Sequence, residues 1–560
     1  MKRQLQKQSI IQLTLTAAIL VFVNVIAGFV FTRVDLTSEK RFSLAPSSKE
    51  ILKNLDDVIY VKIYLDGDLP PGFKRLRNST RELLDEFRVH AKDNVEYQFI
   101  DPSAIPDKQE RNKIYEQLAQ KGLQPTNLEE RQKGGTSQKI IFPGAIINYR
   151  AEELPLQLLK NRMGSSPEEM LNNSIEGLEY DFIQGIKKIT TNVKPRIGFL
   201  QGQGELSTQQ IADAARALRE SYRVDTVTMN GHLDALKNFR TLIIAKPENS
   251  FNEKDKFILD QFIMKGGSVL WLIDVMQIDL DSLSEMSTNV AIVKELNLED
   301  QLFKYGVRIN DNLVMDIQAA PIPVVTGQVG NQPKTELFPW YYSPLINPSS
   351  LHPIVHNLNA IKLDFASTID TIEVPDVKKT ILLATSPYSK AMLAPARVSL
   401  NILKENPDPA QFNKSHLPVA VLMEGTFKSN YKNRIPEAIV NAPEIGFRES
   451  GIPAKMIVVG DGDAIASYVS KKGTIYPLGY DRFTGETYGN LNFILNCVDY
   501  LCDDSGLMSL RAKEFKLRLL DKAKTENSGI KWINTLLPVI IILLYGFIHS
   551  MIRKRKYERS

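Results

Sequence analysis

Apolar residues are distributed very unevenly along the chain. Residues 9–31 (SIIQLTLTAAILVFVNVIAGFVF) and 533–552 (INTLLPVIIILLYGFIHSMI) contain no charged side chain. A helix rises 1.5 Å per residue, so about 20 residues match the ~30 Å hydrocarbon core of a bilayer, and each stretch predicts a membrane-spanning helix. The first run could instead be a signal peptide cleaved after Val25-Ile26-Ala27. It continues through Phe29, Val30 and Phe31, beyond the length of a signal h-region, so an uncleaved anchor is expected.

Between these runs, apolar and polar positions alternate in shorter patterns. Residues 58–65 are β-branched and aromatic and read as a strand, and 72–88 place Leu76, Leu83, Leu84 and Phe87 at helical intervals. A strand at 95–100, a helix at 107–121 stopped by Gly122, a strand pair at 140–149 and 154–159, and a long helix at 167–189 follow. The order β-α-β-α-β-β-α over 47–190 is that of a thioredoxin-like domain. The segment after its first strand, Asp66 to Gly72, carries no cysteine, so the expectation is a redox-inactive version. Fold alone supplies no function.

From 193 to 505, short apolar strands (194–200, 224–229, 240–245, 268–274) alternate with helices capped by Ser207 and Asn252. That alternation predicts a parallel sheet covered on both faces, of the flavodoxin or amidotransferase type. Ligands on such sheets bind beyond the carboxyl ends of strands. The candidate residues there are Gln201, Gln203 and Glu205 in the first strand-end loop, Asp274, and Asp461 and Asp463 before a helix expected near Ala464. The glycines of the first loop do not complete G-x-G-x-x-G, since Ser207 occupies the last position. The paired aspartates lack the other oxygen ligands of an EF-hand loop and read as turn caps. Residues 316–350, rich in Pro, Gly and Gln, read as a long loop presenting Trp340, Tyr341 and Tyr342 as a lid or partner contact. Helix 490–501 should dock on the sheet, and 506–531 should form a stalk leading to the second span.

Composition narrows the function classes. The chain has 560 residues, room for about three or four folded units. Its net charge of +4 comes from its ends. Lys2, Arg3 and Lys7 lie in tail 1–8; Arg553, Lys554, Arg555, Lys556 and Arg559, offset by Glu558, lie in tail 553–560. The region between has no positive excess, which argues against nucleic-acid binding. Basic flanks stay cytoplasmic, so both termini are expected inside and the bulk of the chain in the periplasm, beyond a bacterial inner membrane. Cys497 and Cys502, at C-x4-C spacing, suit neither a zinc site nor a redox pair and read as apolar fillers. No Walker A loop, H-E-x-x-H or G-x-S-x-G is present, and the six histidines are scattered. No catalytic residue, cofactor or metal is therefore expected.

Several strings, in this order and within this two-span frame, resemble a known family: residues 41–49 (RFSLAPSSK), 262–270 (FIMKGGSVL), 304–310 (KYGVRIN) and the helix 490–501. The chain resembles the ABC-transporter auxiliary proteins, and within them the gliding-motility GldG family of Bacteroidetes, along essentially its whole length. The resemblance implies a membrane subunit that acts with a separate permease and a cytoplasmic ATPase, without catalytic residues of its own. Membrane lipid and another copy of the chain are the other expected partners. The alternative is a membrane-anchored periplasmic domain that binds or processes a ligand such as a sugar at the strand-end loops.

Overall fold

The computed structural model describes residues 11, 13–23, 43–132, 135–160, 165–191, 193–285, 288–329, 332–404, 407–443, 445–512 and 528–557. The chain divides into two units, one of Met1–Arg41 with Glu514–Ser560 and one of Phe42–Lys513.

In the terminal unit, the helix Ser528–Tyr557 contains an apolar stretch, Thr535–Ile552, long enough to cross a membrane and with none of it buried. The helix at Leu13–Val23 is shorter. The rest of the expected first span, the basic tail residues Lys2, Arg3, Lys7 and Arg559, and most of the expected stalk lie outside the described residues.

The larger unit begins with α1 (Pro46–Lys53) and then β1 (Ile59–Ile63), α2 (Pro71–His90), β2 (Val95–Phe99) and α3 (Lys108–Gln120). A hairpin β3 (Thr126–Gln132) and β4 (Gly135–Ile141) is inserted before β5 (Gly144–Tyr149), β6 (Glu152–Gln157) and α4 (Pro167–Thr190). The sheet order is β2-β1-β5-β6, with β1 parallel to β2 and the β1–β5 and β5–β6 pairs antiparallel. α4 starts at a capping box in which Ser166 and Glu169 satisfy each other's backbone amides, and Lys187 and Lys188 sit in its last turn, where the helix dipole favours cations. Leu171, Ile175, Leu178, Phe182 and Ile186 lie three or four residues apart and pack on this sheet's core.

The remainder builds a seven-stranded sheet. It contains β7 (Arg196–Leu200), β8 (Arg223–Val227), β9 (Thr241–Ala245) and β10 (Ser268–Leu272), with α5 (Ala212–Arg219) and α6 (Glu253–Met264) between strands. After α7 (Glu299–Tyr305) and β11 (Val307–Ile309) come the hairpin strands β12 (Ala319–Val329) and β13 (Gln332–Ile346), then β14 (Val377–Ala384), β15 (Pro418–Gly425), β16 (Ala454–Val459) and α8 (Asn490–Cys502). The order is β14-β15-β16-β10-β9-β7-β8. Five strands, β8 to β16 across the sheet, are parallel, but β15 runs antiparallel to both β16 and β14. The sheet is thus mixed rather than wholly parallel. Every residue of β9 and β10 is buried: Leu242, Ile244, Val269 and Trp271 face one core, and Ile243, Ala245, Leu270 and Leu272 face the other.

Three expectations are corrected. Residues 319–346 are not a loop but the β12–β13 hairpin. Its outer part, residues 325–328 and 333–337, is exposed, whereas its base carries Trp340, Tyr341 and Tyr342 into the core, the first with no exposed surface. Trp340 lies 5.1 Å from Tyr342 and 6.3 Å from Phe365, and Tyr341 meets Phe412 at 5.5 Å, so these rings are packing and not a lid. Asp463–Ile465 is one 3-10 turn and does not open a helix. Finally, the start of the expected stalk is folded: Leu507, Met508 and Leu510 are buried in the core of the N-terminal half, where the Tyr180 hydroxyl meets Met508 Sδ at 3.0 Å.

Replacing Trp340 with Ala should cost about 3–5 kcal/mol of unfolding free energy, and replacing the Ser166 cap with Ala about 1 kcal/mol. Urea unfolding of the full chain measures both, and the ring deletion must produce the larger shift.

Candidate functional site

The carboxyl ends of β9, β10 and β16 converge on one ionic group. Lys246, just past β9, places Nζ 2.6 Å from Asp463 Oδ2 and 3.3 Å from Asp274 Oδ2. Its backbone is in the left-handed region at φ 54°, a conformation that is costly for a residue with a Cβ, and the two ion pairs hold it there. Asp274 accepts the Gly462 amide through its other oxygen. Asp461, fully buried, accepts the amides of Asp463 and Asp364, each at 2.7 Å. Asp364 passes the network on to Lys362 at 3.4 Å, and Lys362 reaches Asp481 at 3.0 Å. Gly462 lies so close that a Cβ would meet Lys246 Cβ at 2.7 Å, which explains glycine at that step.

The electrostatics follow from three carboxylates around one ammonium. Burial, then the charges of Asp274, Asp463 and Asp364, hold Asp461 well above the ordinary carboxyl range. Asp463 is pushed up to about 6 by burial and by Asp274, against the pull of Lys246. Burial opposes the charge of Lys246, but Asp463 and Asp274 outweigh it and keep the ammonium protonated above its usual range.

Asp274, Asp461 and Asp463 are therefore brought together, whereas the first loop is not joined to them by any side-chain hydrogen bond among the described residues. Gln201 donates to the Leu206 carbonyl at 3.2 Å, Gln203 donates to Asp255 at 3.2 Å, and Glu205 accepts the Gln203 amide at 2.8 Å. Burial pushes Glu205 upward despite that backbone support. Trp340, Tyr341 and Tyr342 lie in the core. Lys362 is absent from the sequence-based candidates, and Lys246 enters the sequence reading only as a strand-end residue. The one signal for Lys246 was its place at a strand end, since its partner Asp463 is 217 residues away in sequence.

Chemically, this is a staple. Each carboxylate is taken up by backbone amides or lysine, and none of these residues lines the cavities of about 150, 180 and 490 Å³ found elsewhere in the unit. Among the described residues no group of three or more His, Cys, Asp or Glu is placed to hold a metal ion. Cys497 is buried and Cys502 is pushed up to about 12 by burial, so both thiols stay protonated.

The family described as an ABC-type uncharacterized transport system matches residues 194–497, which contain the whole seven-stranded sheet and most of α8. The chain belongs to that family. It groups auxiliary components of ABC-type transport systems, which implies association with other transporter components. A domain of unknown function (DUF7088) matches residues 38–148, in the N-terminal half of the larger unit. An uncharacterized protein of Borreliella burgdorferi is 22% identical over 560 residues, covering 97% of each chain. Among solved structures, the mmIFT52 N-terminal domain aligns with a TM-score of 0.31 at 13% identity, covering 55% of this chain and 96% of that one. The exo-beta-1,4-mannosidase Op5Man5 from Opitutaceae bacterium strain TAV5 aligns with a TM-score of 0.21 at 9% identity, covering 61% of this chain and 38% of that one.

The staple has a pH signature. A carboxyl whose pKa is higher folded than unfolded takes up protons on folding, so the contribution of Asp463 is fully present below its unfolded value of 3.8 and is lost as pH rises through about 6. In urea melts across that window, the stability of the wild type should fall relative to Asp463→Asn. Lys246→Met strands buried carboxylates and should cost about 3–5 kcal/mol at neutral pH. Acidification to about pH 4.5 should return part of that loss, because the stranded groups then protonate; a loss independent of pH would mean that packing, not charge, holds the strand ends.

Proposed function

We propose that this protein is a non-enzymatic auxiliary subunit of an inner-membrane ABC transporter of the gliding-motility type. Two spans, 9–31 and 533–552, hold it in the membrane with both basic termini cytoplasmic and the larger unit in the periplasm. It works with a separate permease and a cytoplasmic ATPase. The family match over residues 194–497 carries this reading. The apolar stretch Thr535–Ile552 and the pairing of Asp274 and Asp463 with Lys246 support it. The mixed sheet of the N-terminal half is read as a thioredoxin-like spacer. Its strand-to-helix turn uses Asp66 to pair with Arg77 at 2.8 Å, where a redox domain would carry cysteines.

The two halves of the larger unit meet through polar contacts suited to small adjustments. Gln184 of α4 donates to Asp499 of α8 at 2.8 Å, and Tyr222 donates to the other oxygen at 2.7 Å. Cavities of about 150 and 180 Å³ lie beside this contact. Leu507, Met508 and Leu510 anchor the chain to the N-terminal half shortly before it runs to the C-terminal helix. We read this anchored segment as the route by which ATPase-driven movement of the helix reaches the junction.

Affinity purification of the full chain from native membranes in mild detergent should recover a permease and an ATP-binding subunit, and protease added to intact spheroplasts should digest the larger unit. Repeated recovery of the chain alone, or protection of the larger unit, would overturn the proposal. In the same purification Asp499→Ala should leave recovery unchanged and raise hydrogen exchange along α4 and α8.

A further inference from the structure

The 490 Å³ cavity lies beyond the carboxyl end of β10, opposite the Lys246 staple. Side chains alternate along an extended chain, so Asp274 turns to Lys246 while its neighbours Ile273 and Val275 line the cavity. With Leu296, Leu298 and Leu302 they make a floor of buried hydrocarbon that offers no side-chain hydrogen-bonding atom. The mouth is different. α7 supplies Glu299 and Phe303, the latter 51% exposed, and Arg308 and Asp311 come from β11 and the turn after it. Two further charged residues at the wall are already committed, Lys294 to Glu248 at 2.8 Å and Asp300 to Lys256 at 2.7 Å. The side chains of Glu299, Arg308 and Asp311 are engaged in no ion pair or hydrogen bond among the described residues.

We propose that this cavity binds one single-chain amphiphile, its hydrocarbon tail on the apolar floor and a zwitterionic head at the mouth. The size fits, because ligand pockets run to roughly 300–1,000 Å³ and a dry apolar cavity of about 150 Å³ already admits benzene. The floor selects hydrocarbon, since a polar group placed there would leave water without gaining a partner. The mouth selects the head by charge: Arg308 meets an anionic group while Glu299 and Asp311 meet a cationic one. A purely anionic head would face two carboxylates, and a purely cationic head would face the guanidinium. The assignment is independent of the transporter reading.

The test uses the full chain in nanodiscs and a lysophosphatidylcholine carrying a photoreactive diazirine in its tail, with labelled peptides mapped by mass spectrometry. Label is expected on the segments around Ile273–Val275 and Leu296–Phe303. Leu298→Trp, which fills the cavity, should cut it there about tenfold while leaving label on the C-terminal helix unchanged. Arg308→Glu, at an exposed position that leaves folding intact, should weaken labelling several-fold. Zwitterionic competitors should gain about fourfold per added methylene until the floor is covered, and glycerophosphocholine, which has no tail, should not compete. Undiminished label in both variants, equal competition by the tailless head, equal or better competition by an anionic amphiphile, or no label at these segments would each overturn the proposal.

Discussion

A sheet buried on both faces leaves its strand ends as the one place along the strands where charge can collect, and that constraint governs this fold. β9 and β10 have no exposed residue, so the polar groups that the chain needs for turning back appear only at the edges. There, desolvation makes isolated charge expensive, and it is tolerated only in mutual company. Lys246 with Asp274, Asp461 and Asp463 is the outcome at one end. On the α6 face the same logic recurs: fully buried Lys256 is held by Asp300 and the Asn297 amide oxygen, and Asp260 accepts from Ser429, Tyr305 and the Asn430 amide. Placing carboxylates at strand ends in a fold known for ligand binding invites a catalytic interpretation, but their partners make them architecture.

Much of the fold was legible because helices announce themselves locally. The α2, α4, α6 and α8 segments have apolar positions at helical spacing, and Asn252 at the start of α6 accepts the Asp255 amide as its sequence position implies. Strand direction was not legible, since a run such as 418–425 is equally apolar whether it pairs parallel or antiparallel. The β12–β13 hairpin was missed because Pro321, Pro323, Pro333 and Pro339 are the usual marks of a loop. Beyond its base, where Leu345 and Ile346 pair with Lys362 and Ile361, the ribbon is two-stranded with free edges, and there prolines are tolerated. Of the candidate residues, the aspartates were found and their grouping was not, because the lysine that gathers them is remote in sequence.

The unit is also tied together by segments distant in the chain. α4 of the N-terminal half and α8 near the end share Asp499 through Gln184, and residues 507–510 return to the first core. The core of the N-terminal half is therefore completed by residues translated hundreds of positions later. Such non-local closure slows folding, because the entropy of loop formation is lost before the contacts reward it.

The exposed outer part of the β12–β13 ribbon bears on solubility. Open strand edges ordinarily recruit strands from other molecules, a route to fibrils at high local concentration. Proline has no amide hydrogen to offer, and five of them, Pro321, Pro323, Pro333, Pro339 and Pro344, are spread over both strands of this ribbon, with Pro333 in its exposed outer part. A foreign strand sliding alongside would repeatedly fail to close its ladder, so the ribbon can stand in solvent without seeding aggregation.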